Sequence, residues 1–254
     1  MACAISSSRE NQQKRNSFRM HASTSQLEIR LVCSPQARVG TTTTARLLAD
    51  YHLCRGRSIA VYDTDSQGHA LSGFFPESSV VADITRTRGQ MTLFDGLISD
   101  GGAVRIVDVS ASHFAHFIAL ARRLDWFAEA RRLGFDVELL FVTDLSPAAL
   151  ESARRIGEIW PDLHPIIVTD VGAGALAQPL EAALAALLPG TRTFEIRPFT
   201  ERGRGRPEVP TLSLNRELSL DAGPIAHPHL RGWITDAFDQ FHCHEMRAAL
   251  AQVR

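Results

Sequence analysis

Short apolar segments alternate with longer amphipathic ones along most of this chain, and few folds accept that pattern. Residues 27–33, 58–63, 104–109, 137–142, 166–169 and 193–197 read as strands, short and rich in Val, Ile, Leu and Phe. Residues 42–55, 91–99, 113–133, 147–158, 176–188 and 229–252 carry apolar side chains at helical spacing. Strands this apolar are buried on both faces, and helices between them make consecutive strands parallel. The expected fold is α/β: a doubly wound, mostly parallel sheet with helices on both faces. At 254 residues the chain is long enough for one such domain with a sizeable core. That domain is expected over residues 27–254, with an irregular loop at 200–220 and a C-terminal helix at 229–252. Gly56 and Gly134 stand where helix C-caps belong, and Ser146-Pro147 reads as an N-cap followed by N1.

Residues 1–26 are rich in Ser, Gln, Asn and Arg and read as a disordered tail, in which Met20 offers an alternative start. A formal net charge of −1 gives no general pull toward nucleic acid or an anionic membrane. Cys3, Cys33, Cys54 and Cys243 are scattered without a CxxC pair, which argues against a disulfide framework and fits a reducing cytoplasm. No apolar run approaches the ~18 residues that span a bilayer.

The first strand runs into Ser34–Gly40 and then into a threonine-rich helix start, Thr41-Thr42-Thr43-Thr44. A strand, a glycine turn and a helix N-terminus form an anion site, because free backbone N–H groups and the helix dipole converge there. Phosphate-binding loops of this kind add a lysine, yet Lys14, in the tail, is the only lysine in the chain. Thr42 is open to two readings, a Mg²⁺ ligand or a helix N-cap.

Two further segments carry carboxylates to the same sheet edge. Asp63-Thr64-Asp65-Ser66-Gln67-Gly68 closes the second strand, and Arg105-Ile106-Val107-Asp108 closes the third. Open α/β sheets bind ligands outside the carboxyl ends of their strands. An aspartate at the end of such a strand can hold Mg²⁺ through the neighbouring threonine.

In order and spacing these segments resemble the ParA/MinD family of P-loop ATPases. Pro35-Gln36-Ala37-Arg38-Val39-Gly40-Thr41-Thr42-Thr43 is similar to the family's KGGVGKTT loop, and Asp63–Gly68 to its D-x-D-P-Q-G switch I. Val104–Asp108 resembles the strand leading to switch II. The likeness covers residues 27–190, and Asp108-Val109-Ser110-Ala111-Ser112-His113-Phe114 is similar to the StbB/TraL plasmid-transfer branch. The resemblance implies a P-loop NTPase-like fold with ATP and Mg²⁺ as ligands. Gln36, Arg38, Val39, Gly40, Thr41, Thr42, Thr43 and Asp170 fall at cofactor-binding positions, Thr42 and Asp108 at metal positions, and Asp63 and Asp65 at catalytic ones. It further implies a switch or scaffold in DNA segregation, conjugative transfer or cellular positioning, with a protein partner or a homodimer.

The departures bear on activity. Gln36 replaces the family's signature lysine, Thr41 replaces the P-loop lysine, and Ala37 and Arg38 replace two glycines. A lost ammonium removes about 1.5–3 kcal/mol of ligand binding and on the order of 10³–10⁵ in rate if it served the transition state. Weak or absent hydrolysis is expected. The alternatives are an active ATPase in which Arg38 replaces the lysines, a protein-interaction module that binds no nucleotide, and a dethiobiotin-synthetase-like ligase.

Arg202, Arg204 and Arg206 lie in an R-G-R-G-R-P stretch similar to a minor-groove hook, although Glu201 and Glu208 flank it. His242 and His244 fall on different helix faces, unlike a zinc-binding i, i+4 pair. The C-terminal helix is expected to pack on the sheet, because Asp236, Asp239 and Glu245 oppose a membrane-surface role. Any homodimer is expected to be constitutive and to use apolar helix surface around Trp126 and Phe127.

Overall fold

The structure is a computed structural model that describes residues 27–68, 70–99, 101–169, 192–197, 199, 214 and 228–252. The strands are β1 (Leu27–Cys33), β2 (Ile59–Asp63), β3 (Ser79–Val81), β4 (Val104–Val109), β5 (Phe135–Val142), β6 (Ile166–Thr169) and β7 (Thr193–Glu195). The helices are α1 (Thr41–Cys54), α2 (Thr87–Leu97), α3 (Phe114–Arg123), α4 (Trp126–Arg132), α5 (Pro147–Ile159) and α6 (Pro228–Gln252). The tail, the 176–188 helix, Asp170, the 200–220 loop apart from Leu214, and Arg202, Arg204 and Arg206 lie outside the described residues.

The strands form a seven-stranded sheet in the order β3-β2-β4-β1-β5-β6-β7, and every pairing is parallel. β1 lies at the centre, pairing Val32 with Asp108 of β4 and Val32 with Leu140 of β5. The loops after β1, β2, β4 and β5 therefore gather at one carboxyl edge. Alternation along the strands divides the core in two. Ile29, Leu31 and Cys33 face α2–α5, packing with Leu93, Phe117, Phe127 and Ala153. Val32, Val61, Ile106 and Leu140 face α1 and α6, packing with Leu47, Ile234 and Phe241. Burying each of these large side chains stabilises by about 1.5–3 kcal/mol before the entropy of ordering is counted.

Several local readings of the sequence hold. Gly56 and Gly134 take left-handed φ values of +71° and +86° at the ends of α1 and α4. The Ser146 hydroxyl accepts from the Ala149 N–H, with Pro147 in the first turn of α5.

Three expectations need correction. The single helix at 113–133 is two, because Asp125 adopts a left-handed conformation, φ +48°, between α3 and α4. That turn rolls Trp126 and Phe127 into the core, where they are only 3% and 1% exposed. Their rings pack edge-on to each other, and Phe127 packs on Trp160 at 4.5 Å between centroids. The expected dimer surface is therefore interior. The helix read from Met91 begins at Thr87, and it includes Gly89, where a Cβ would lie 1.9 Å from the Asp83 carbonyl oxygen.

The two sheet edges are unlike. At β7, the Gln240 side-chain amide of α6 accepts from the Glu195 N–H at 2.7 Å and donates to the Glu195 carbonyl at 2.8 Å. At β3, Ser78 and Ala82 bond inward to β2. By parallel alternation the N–H and C=O of Ser79 and Val81 point outward, beside the exposed side chains of Val80 and Val81. Among the described residues no helix is long and apolar enough to cross a membrane.

Candidate functional site

The carboxyl edge above β1 is built around the N-terminus of α1. Gly40 is the residue before that helix, at φ +100° and ψ 20°, and no side chain caps the helix. A left-handed φ of this size favours glycine. The Thr44 N–H reaches the Gly40 carbonyl at 2.9 Å. The N–H groups of Thr41, Thr42 and Thr43 come before the first intrahelical bond, and the helix dipole adds partial positive charge at that point.

Thr42 does not act as an N-cap. Its hydroxyl donates to Asp108 Oδ2 at 2.6 Å, joining α1 to the end of β4. Asp108 is 4% exposed, and its second oxygen, Oδ1, is buried without a hydrogen-bond partner. Burial pushes the Asp108 carboxyl up to about 7; the Thr42 hydrogen bond opposes the shift, and the charges of Asp63 and Asp65 add to it. An acceptor left bare in a buried place is costly, and a hard cation is the partner a carboxylate beside a threonine hydroxyl fits.

Asp63 lies at the end of β2, paired in register with Asp108. Its Oδ1 accepts from the Asp65 N–H at 2.9 Å, and Oδ2 accepts from the N–H groups of Leu71 and Ser72 at 3.0 Å. The carboxylate thus organises the following loop. Asp65 Oδ1 accepts from the N–H groups of Gln67 and Gly68 at 3.1 and 2.9 Å. A Cβ at Gly68 would lie 2.3 Å from Asp65 Oδ2, so a larger residue there would push the Asp65 carboxylate aside.

Gln36 lies in the loop between β1 and α1 and turns toward its own chain. Its amide nitrogen donates to Asp144 Oδ2 at 2.9 Å and to the Ser146 hydroxyl at 3.0 Å. The Ser146 N–H, the Ser146 hydroxyl and Gln36 hold the Asp144 carboxyl below its usual range. Arg38, exposed and left-handed at φ +65°, makes no hydrogen bond or ion pair among the described residues. Val39 packs partly against the α1–α6 core.

Sequence reasoning missed three participants. Thr64 links the loops after β2 and β4: its N–H and hydroxyl donate to the Asp108 carbonyl at 3.1 Å, and its hydroxyl accepts from the Ser110 N–H at 2.9 Å. His113 Nδ1 donates to the Thr64 carbonyl at 2.9 Å. Asp144 holds Gln36. Thr64 had a signal, its place between two aspartates; His113 and Asp144 had none, because their partners are distant in sequence.

Comparison with protein-family models, with curated proteins and with solved structures finds no match.

Among the described residues, one other cluster has ligand-like atoms. Glu28, His52 and Glu245 bring three of them within 4.8 Å of one another. The Glu28 carboxylate already accepts from Arg30 at 2.9 Å and from Arg57 at 2.6 Å. The cluster is an arginine–carboxylate network at the opposite end of β1 from the turn that leads into α1.

Proposed function

We propose that this chain is a degenerate ParA/MinD-like protein of the P-loop NTPase group, in which the nucleotide site serves as a switch or scaffold and hydrolyses weakly or not at all. The observation that carries the reading is the Thr42–Asp108 pair, with Asp108 Oδ1 buried and bare beneath the N-terminus of α1. Thr42 and Asp108 would hold Mg²⁺. The N–H groups of Gly40, Thr41, Thr42 and Thr43 would receive phosphate oxygens, and the metal would offset phosphate charge there. The sheet order, with β1 between β4 and β5, supports the reading by bringing these groups to one edge. The inward turn of Gln36 favours the scaffold form over an active ATPase that joins two subunits. Segregation of DNA, conjugative transfer and cellular positioning are the processes such a protein would serve.

Thermal unfolding tests the reading. Millimolar ATP with Mg²⁺ should raise the midpoint, because a ligand that binds only the folded state stabilises it. Thr42→Val and Asp108→Asn should each abolish the increase. An unchanged midpoint in the unmodified chain, with ATP or ADP, would sink the nucleotide reading.

A further inference from the structure

Three histidines beneath and within α6 share one unusual kind of partner. Arg57 donates to His52 Nδ1 at 3.3 Å, Arg55 donates to His242 Nδ1 at 2.9 Å, and Arg192 donates to His244 Nδ1 at 2.9 Å. A guanidinium has no lone pair to offer, so each imidazole nitrogen must be the acceptor. Each ring is therefore neutral at that atom. For His244 this fixes the other nitrogen as the donor, and Nε2 reaches Glu138 Oε1 at 2.6 Å.

The surroundings leave little room for an added proton. From β1 come Glu28 and Arg30, from β5 Asp136 and Glu138, and from α1 and the turn after it Tyr51, Arg55 and Arg57. Arg192 precedes β7, and α6 supplies Glu245. Glu28, Asp136 and Glu138 all pair with Arg30 within 3.2 Å, and Glu245 lies 3.7 Å from both Arg55 and Arg57. Among these residues the four arginines match the four carboxylates one for one, so a protonated histidine adds unbalanced charge. Burial, with the charges of Arg30, Arg57 and Arg55, holds the His52 imidazole far below its usual range, at about 2.

We propose that the three arginine–histidine contacts form an acid-sensitive latch, which holds the C-terminal half of α6 on the sheet and releases it when the histidines take up protons. Toward its N-terminus the helix is held independently by Leu230, Ile234, Ala237 and Phe241, which are buried in the core. Beyond Phe241 the attachments are polar apart from the edge-on contact of the His244 ring with Phe194, and Met246 and Leu250 are exposed. The sign follows from the geometry. Each of the three contacts needs a bare Nδ1, which a proton at that atom would remove, so the latch is intact above the ordinary imidazole pKa of about 6.5. It weakens as pH falls below that value, by up to about tenfold in the opening equilibrium per pH unit for each proton linked.

Hydrogen exchange of the full chain, corrected for intrinsic rates, measures this directly. Between about pH 7.5 and about pH 5.5, peptides covering residues 242–252 should lose at least about tenfold in protection. Peptides from β1 and β4 should keep theirs. Retained protection of 242–252 at the lower pH overturns the proposal, and so does a parallel loss in β1 and β4, which marks global acid unfolding. His244→Gln keeps a donor toward Glu138 and an acceptor toward Arg192 but gains no proton, so its pH response should be smaller. If that variant does not fold, Arg192→Gln serves instead: it removes the facing cation and should move the release to lower pH. A variant response equal to that of the unmodified chain removes His244 from the latch.

Discussion

The Thr42 hydroxyl meets Asp108 across 66 residues of sequence, and the 2.6 Å bond takes one carboxylate oxygen while the other stays buried and bare. The pair is costly in the folded state alone. Its carboxyl titrates near 7 against an ordinary aspartate value of about 3.9. The folded protein therefore binds more protons than the unfolded chain between those values, and stability falls as pH rises through that window.

Asp108→Asn should accordingly stabilise the chain at alkaline pH. We expect a gain of roughly 1–3 kcal/mol at about pH 8 and almost none at about pH 4. Denaturant titrations at the two pH values measure the difference. An equal effect at both would mean that the carboxyl is not held up by burial.

Hydrolysis of ATP should stay at or near background, because no lysine lies between Gln36 and Thr44. Phosphate release by the purified protein, with and without DNA, checks it. Robust turnover that vanishes in Asp108→Asn would show that another cation, with Arg38 the first candidate, has taken the lysine's place.

Asp63→Ala should act on stability first. It strips the acceptor from three backbone N–H groups, those of Asp65, Leu71 and Ser72. A loss of about 2–4 kcal/mol is expected from unsatisfied buried donors, read as a lower unfolding midpoint without nucleotide. A midpoint within a degree of the unmodified chain would free Asp63 from this structural task.

The architecture was legible in the sequence because parallel strands buried on both faces are short, apolar and separated by helices. Six strands and the α1, α5 and α6 helices fell near their expected places for that reason. β3 escaped, since three residues at an edge, two of them exposed valines, carry no pattern. The break at Asp125 escaped too, because helical periodicity continues across it while the backbone reverses hand for one residue. At the candidate site, the strand-turn-helix pattern pointed to Thr42, and carboxylates at strand ends pointed to Asp63 and Asp108. The partners of these side chains did not follow from spacing: Asp63 accepts from its own loop, and Gln36 reaches Asp144, more than a hundred positions away.

Mg²⁺ with ATP should leave the oligomeric state unchanged. With Gln36 committed to Asp144 and Ser146, nucleotide gains no cross-subunit cation and no preference for a dimer. A ligand with equal affinity for two states shifts neither. Light scattering with and without nucleotide decides the matter. A doubling of mass on adding ATP, abolished by Arg38→Ala, would overturn the expectation.

Gln240 treats Glu195 as a neighbouring strand would, giving and taking one hydrogen bond each. Among the described residues, one margin of the sheet is thus closed by a single side chain, while Ser79 and Val81 leave the other margin able to accept a strand. A body with one such margin can terminate another copy but cannot extend it. Among the described residues, two copies joined along β3 would present at each end only the β7 edge capped at Glu195, so assembly by strand addition would stop at a pair and would not run on into a fibre. Gln240→Ala would remove that stop.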